Sequence, residues 1–543
     1  MQDNNIFFKT GSWVFSLLLV FPVLAIFYTA LGGIDDVFAH LMSTVLPTYV
    51  ANTVWLAIGV VGLALLLGIP TAWLMARYKV PGEHVLQWAL VLPLAVPGYI
   101  MAYIYTDWFD FAGPIQIFLR DLFGWQSVHD YWFPDLRTLY GASFVLALVL
   151  YPYVYLLARS AFIEQGETLT QSARLLGKTP LQSFFRISLP LARPAIAVGA
   201  SLVAMEAIGD FGTVSYFAVN TLTTAVYDTW LGYSNLNAAA KISAIMLLVI
   251  FMLISAERHS RRKQKLYSQG GNAKPLERLE LSAWGKWLAA GWCWGLVTIA
   301  FLLPMLQLVN YAYGYWEESW SNEFLEYSLN SLNLSVATAL VTVVLALLVN
   351  VYRRLRGTTA SLVPSRIAST GYAVPGTVLA IGVLIVLTNA DHLINDAALA
   401  LGWGRPGLIL SGTMFAVLAA FVVRFAAVAI GSVESGLAKV SPSLDMASRT
   451  MGCSATQMLR RVHLPLIRRS CLIAGLLVFI ESMKELNAAI LLRPFNFETL
   501  ATYVFNFASD EHLELAALPA ILLVLVGLVP LILINRSLEQ THS

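Results

Sequence analysis

The chain has 543 residues, of which 58% are hydrophobic and only 12% charged, and its mean hydropathy is +0.69. Soluble domains carry about 25% charged residues, so this composition excludes an ordinary soluble enzyme and points to an integral membrane protein. The net charge of +2 gives no reason to expect nucleic-acid binding, and three cysteines without a spacing pattern beside eight scattered histidines suggest neither a disulfide framework nor a metal site.

Twelve apolar stretches are long enough to span a bilayer, which takes about 20 residues. They run over 11–31, 49–76, 87–106, 140–158, 194–218, 239–257, 287–313, 329–352, 367–388, 408–433, 470–492 and 515–535. With the N-terminus inside, the intervening segments 1–10, 77–86, 159–193, 258–286, 353–366, 434–469 and 536–543 hold 27 of the 34 Lys and Arg. The outside loops hold only Arg120, Arg137, Arg405 and Arg493. This asymmetry predicts a multi-pass membrane protein with both termini cytoplasmic. The first stretch lacks a basic leader and a small-residue cleavage site, so it reads as a retained helix. The segment 257–278, with five basic residues in its first nine, reads as a cytoplasmic linker that can also touch anionic lipid.

The chain repeats itself. "SARLLGKTPLQSFFRISLPLARP" at 172–194 matches "ASRTMGCSATQMLRRVHLPLIRR" at 447–469, an offset of 275. The same offset pairs Glu206 with Glu481, Asp210 with Glu485 and Thr224 with Thr499, and an offset of 278 pairs "AVPG" at 95–98 with "AVPG" at 373–376. The expected fold is therefore all-α, with about 12 helices as two parallel six-helix repeats. Expected boundaries are a first helix and outside loop over 1–48, a first repeat domain over 49–257 and the linker over 258–286. A further helix and loop follow over 287–325, then the second repeat domain over 326–536 and a tail over 537–543.

Gly177-Lys178-Thr179 matches the end of a phosphate-binding loop, but that loop needs another Gly at position 172, where Ser172 stands, and a preceding strand. The second copy has Gly452-Cys453-Ser454 and no lysine. The repeated glycine thus marks a turn between two short amphipathic helices, where Gly supplies positive φ or close approach. Pro190 and Pro465 are expected to stop the second short helix before a membrane helix begins. Such a helix–turn–helix can dock into a groove on a partner; lying on the headgroups is the plainer alternative.

Two pairs of carboxylates lie at membrane depth. Glu206 and Asp210 are four apart, as on one helix face, and Glu481 and Glu485 repeat them with Lys484 between. Such groups face a cavity or a partner. They read either as the oxygen-rich wall of a translocation path or gate suited to a hard cation, or as interhelical hydrogen bonds or an ion pair with Lys484, or as groups in water at the outer mouth. The loops 217–232 and 493–505 could dock a partner outside or belong to an interfacial belt.

The repeated segment resembles the E-A-A-x3-G-x9-I-x-L-P loop of ABC-importer permeases. Ala173, Gly177, Ile187, Leu189 and Pro190 carry it in one copy, and Ala447, Gly452, Val462, Leu464 and Pro465 in the other. Gln171 and Met446 replace its Glu. "YPYVYLLARSAF", "DFGTVSYFAVNTLTTAVYDTWLG" and "KELNAAILLRPFNFETLATYVFNFASDE" are similar to the fused, two-domain permeases of bacterial ferric-iron ABC importers. This resemblance implies a duplicated type I importer fold and a permease subunit rather than an enzyme. It also implies Fe(III) from a periplasmic binding protein, two copies of a separate ATPase subunit that uses the ATP, and no cofactor bound by this chain. Thiamine, polyamine and phosphonate importers share the loop, and a six-plus-six repeat also describes ion-coupled secondary transporters.

Overall fold

A computed structural model of the protein describes residues 3–165, 177, 179–261 and 278–539. Among these the fold is helical, with one isolated bridge, Tyr78 to Leu279, as the only β pairing. A chain in lipid must satisfy its backbone groups within itself, and helices do so. The main helices are α1 Asp3–Ala30, α2 Leu46–Arg77, α3 Gly98–Phe109, α4 Leu139–Glu164, α5 Leu189–Gly209 and α6 Leu236–Arg261. There follow α7 Ala283–Gly314, α8 Asn322–Arg356, α9 Gly376–Ala400, α10 Met414–Ala438, α11 Pro442–Thr450, α12 Leu464–Lys484 and α13 Ala517–Glu539.

Among the described residues ten helices are long and apolar enough to cross a membrane, or eleven if a bent pair counts as one span. Four expected spans are corrected, 367–388 among them because its helix begins only at Gly376, after extended Val374. The stretch 87–106 is that bent pair, Glu83–Ala95 and Gly98–Phe123, meeting at 93°. The stretches 194–218 and 470–492 are broken where α5 ends at Gly209 and α12 at Lys484.

The helices cluster into two compact units, each drawing on both sequence halves. One comprises 1–46, 222–247 and 317–506. Within it α8, α10 and α12 pack together and α1 lies against α8 and α9. Ser12 Oγ donates to the Leu348 carbonyl at 3.2 Å and Ser16 Oγ to that of Pro364 at 2.8 Å. Gly382 lets the backbones touch, since a Cβ there would stand 2.6 Å from the Pro22 carbonyl oxygen.

The other unit comprises 47–221, 248–316 and 507–543. Its α4 packs on α5, and α7 on α13. Here it is the second half's first helix that lies among first-half helices: Trp292 Nε1 donates to Thr71 Oγ1 at 2.9 Å, and Tyr105 donates to the Ile299 carbonyl at 2.6 Å. Each repeat thus surrenders its opening helix to the unit built around the other repeat. Hydropathy marks both as apolar spans but carries no sign of the exchange.

Candidate functional site

The first candidate site is an elbow present once in each unit. Val96 and Val374 precede a proline and are forced out of the helical region, with φ/ψ of −91/121 and −90/126. Gly98 and Gly376 then open α3 and α9. Both glycines are needed for close approach. A Cβ at Gly98 would collide with Thr213 Oγ1, and one at Gly376 would stand 2.5 Å from Glu485 Oε1 and 3.0 Å from the Ala488 nitrogen.

The partner of each elbow is a broken helix end. Asp210 leaves α5 with ψ 132, so it does not share a helix face with Glu206 as its spacing suggested. Its carboxylate accepts from the Thr213 and Val214 N–H groups at 2.9 and 3.1 Å, and from Thr213 Oγ1 at 3.1 Å. It thereby satisfies the free donors of the next short helix. Glu485 does the same after α12, accepting from the Ala488 N–H at 3.1 Å. Glu206 and Glu481, one turn earlier, are half-buried, as is Lys484 in the last turn of α12.

The ion pair of Glu485 is made not with Lys484, one of the alternatives above, but with an arginine. Arg424, in the middle of α10, places Nε 3.0 Å from Glu485 Oε2 and donates from Nη1 to the Val374 carbonyl at 3.3 Å. One guanidinium thus joins the elbow to the broken helix. It was legible as the lone basic residue in the apolar run 408–433. At an offset of 275 its place in α4 is taken by buried Val149.

The second candidate site is the repeated segment. Gly177 and Gly452 have φ of +71 and +75, and a Cβ on either would meet nothing within 4 Å. Glycine is there for the left-handed turn, not for close approach. Each turn leads into a reciprocal cap. Thr179 Oγ1 accepts from Gln182 N–H at 3.3 Å while Gln182 Oε1 accepts from Thr179 N–H at 3.4 Å. Ser454 and Gln457 repeat this at 3.2 and 2.9 Å. The threonine of Gly-Lys-Thr is a helix cap, and the T-x-x-Q and S-x-x-Q spacings signal it.

The prolines do not stop a helix. Pro190 and Pro465 sit in the first turn of α5 and α12, and each is joined to the preceding short helix by one π turn, Phe184–Ser188 and Leu459–His463. The wider turn accommodates the missing proline N–H and its ring. Ile187 and Val462 lie in these turns, and Leu189 and Leu464 open the long helices. Ala173 lies outside the described residues. At an offset of 275 it aligns with Ser448, whose hydroxyl is bonded to the Leu444 carbonyl at 2.7 Å, rather than with exposed Ala447.

The loops 217–232 and 493–505 turn their threonines inward: Thr221, Thr223, Thr224, Thr499 and Thr502 are buried. Asn52 and Asn330 tie the same loops down, donating to the carbonyls of Asn220 and Glu498 at 2.9 and 3.3 Å.

Two copies of one architecture, each with an elbow, a broken helix and a capped turn, agree with the sequence comparison. The model of the binding-protein-dependent transport system inner membrane component family matches residues 68–265 and 342–541. The chain belongs to this family. The permease is 26% identical over 491 residues to the Fe(3+)-transport system permease protein FbpB 2 of Haemophilus influenzae, covering 90% of this chain and 89% of that one. It is 28% identical over 278 residues to the sulfate transport system permease protein CysW of Escherichia coli, covering 50% of this chain and 91% of that one. It is 31% identical over 216 residues to the molybdenum transport system permease protein ModB of the same species, covering 38% and 91%. The permease is thus a duplicated, multi-pass inner-membrane subunit of an ABC importer, without enzymatic chemistry of its own. Its family implies an ATPase and a substrate-binding protein as partners.

Proposed function

We propose that the permease carries Fe(III), handed over by a periplasmic binding protein, into the cytoplasm. Two ATPase subunits drive it, one at each repeated segment, with Ala173, Gly177, Ile187, Leu189 and Pro190 in the first and Ala447, Gly452, Val462, Leu464 and Pro465 in the second. Both termini are cytoplasmic, and the chain binds no cofactor. The observation that carries the coupling role is the segment itself. A left-handed glycine, a reciprocal cap and a π turn recur at one offset, and each leads without a break into a long membrane helix. A push on the capped turn therefore reaches the elbow at the other end of that helix. Glu206 and Asp210 stand at that far end in one unit, and Glu481, Lys484 and Glu485 in the other, and we assign them to the gate.

Iron is supported by the extent of likeness, since the Fe(3+) relative is matched through both repeats and the sulfate and molybdenum relatives over half the chain or less. Arg424 favours a second reading, import of an oxyanion, because a cation in a membrane helix can bind one. Its guanidinium is already engaged by Glu485, which weakens that reading. The test is made in proteoliposomes holding the permease and its ATPase, with binding protein loaded with Fe(III), sulfate, molybdate or thiamine, or empty. Stimulated ATP hydrolysis and uptake with the Fe(III) form alone is the expected result. Stimulation by another form moves the substrate, and uptake without ATP replaces the importer by an ion-coupled transporter.

A further inference from the structure

The second repeated segment holds a buried charge network. Asp445, in α11, accepts from Arg354 Nε at 2.7 Å and contacts His463 Nε2 at 2.8 Å. The Arg354 and Asp445 side chains are 14% and 13% exposed, and that of His463 is 0% exposed. Arg354 stands in the last turn of α8 and also donates to the carbonyls of Leu437 and, at 2.7 Å, Val440, where α10 ends. Four unsatisfied carbonyls and a partial negative charge at a helix C-terminus favour this placement. His463 is the last residue of the π turn before α12. Its Nδ1 is buried with no partner among the described residues, a cost native structures rarely accept without a reason. Three side chains thus join α11 to the ends of α8, α10 and α12.

Further contacts of the same kind surround it. Arg449 of α11 donates to the Leu355 carbonyl at 3.2 Å. Ala455 and Leu459, past the Gly452 turn, pack on the cluster of Phe8, Val351 and Tyr352. The first copy carries other side chains at these places. Ala76 takes the place of Arg354 and Ser188 that of His463, and the counterpart of Asp445, Thr170, lies outside the described residues. Among the described residues the Ser188 carbonyl accepts a neutral bond, from Gln165 Nε2 at 2.8 Å.

We propose that Arg354, Asp445 and His463 form a latch that makes α11 move as one body with α8, α10 and α12, so that the second segment works as a stiff lever. These are positioning residues: they act through the helix they hold. The inference rests on the coupling role proposed for 442–469. The relatives' motif places its acidic residue at the position of Met446; here the carboxylate is one residue earlier and turned inward.

The test uses the whole transporter in proteoliposomes with Fe(III)-loaded binding protein. The readouts are substrate moved per ATP hydrolysed, basal ATP hydrolysis, and assembly by size-exclusion chromatography. Asp445→Asn is expected to lower transport per ATP by about ten-fold or more, the scale of one charge-assisted hydrogen bond, with basal hydrolysis and assembly kept. Arg354→Gln and the double variant are expected to show the same loss, not its multiple. Arg353→Gln, which breaks the more exposed Arg353–Glu434 pair on the same helices, is expected to change nothing. An assembled Asp445→Asn transporter with the unaltered ratio overturns the latch, as do multiplying losses. If Asp445→Asn fails to assemble, Arg354→Lys decides, because it keeps the charge and loses the fork to the α10 carbonyls. A reduced ratio then supports the latch, and a normal one overturns it. A parent transporter that the loaded binding protein does not stimulate sinks the importer reading instead.

Discussion

The two elbows share a backbone and differ in charge. In one, Asp210 caps a short helix and the neighbouring α4 contributes Val149 at the matching place; in the other, Glu485 caps a short helix and α10 contributes Arg424. Duplication has kept the geometry that hydrogen bonding and glycine dictate, while side chains that only fill or pair were free to diverge. The four carboxylates are accordingly not four equivalent ligands, since two of them cap helices and one of those is neutralised by an arginine.

The difference can be broken most severely at Arg424. Arg424→Gln leaves Glu485, 8% exposed, without its buried counter-charge, which costs about 3–5 kcal/mol. Thermal unfolding of the purified permease is expected to show this loss, and Arg424→Gln with Glu485→Gln to recover much of it. Val149→Ala, at the matching place, is expected to lose only a cavity's worth.

Gly376→Ala and Gly98→Ala probe what the elbows share. Each adds a Cβ into a contact already closed, an overpacking of about 1–3 kcal/mol. The same melting assay should rank Gly376→Ala as the worse, because the Ala488 backbone at 3.0 Å cannot swing away. Gly177→Asp and Gly452→Asp force a side chain into a left-handed turn at about 1–2 kcal/mol and are expected to uncouple ATP hydrolysis from transport. Gly→Asn at the same places should be milder. Normal transport by both Asp variants would remove the coupling role from these turns.

The reciprocal caps should behave alike, Thr179→Ala and Ser454→Ala each losing about 1 kcal/mol in thermal unfolding. The smallest effect concerns pH. Burial pushes the Asp445 carboxyl up, but the hydrogen bonds from Arg354 and His463 outweigh it and hold it below its ordinary value of 3.8. A carboxyl lowered on folding contributes stability that is present above its unfolded pKa and lost as pH falls through the folded one. The Asp445→Asn difference in stability should therefore be flat across the neutral range and vanish only in strong acid.

Helical class, duplication and repeated turn were all legible, because hydropathy and a 275-residue offset report them directly. The broken helices were not. Apolar composition continues through Asp210 and Glu485, and only the carboxylate's habit of capping the next helix ends the span there. Pro190 and Pro465 misled for a related reason, since a π turn lets a proline sit within a continuous helical path. The pairing of Arg424 with Glu485 joins residues far apart in sequence, and no local period records it.

The exchange of opening helices also sets a timetable for biogenesis. Ser12 finds its acceptor 336 residues later and Ser16 its own 348 residues later. At about 5–20 residues per second, α1 enters the bilayer roughly 20–70 s before the helices that will cover it exist. For that interval its serines face lipid or a membrane chaperone. The newborn first half therefore needs a caretaker until the ribosome has passed α9.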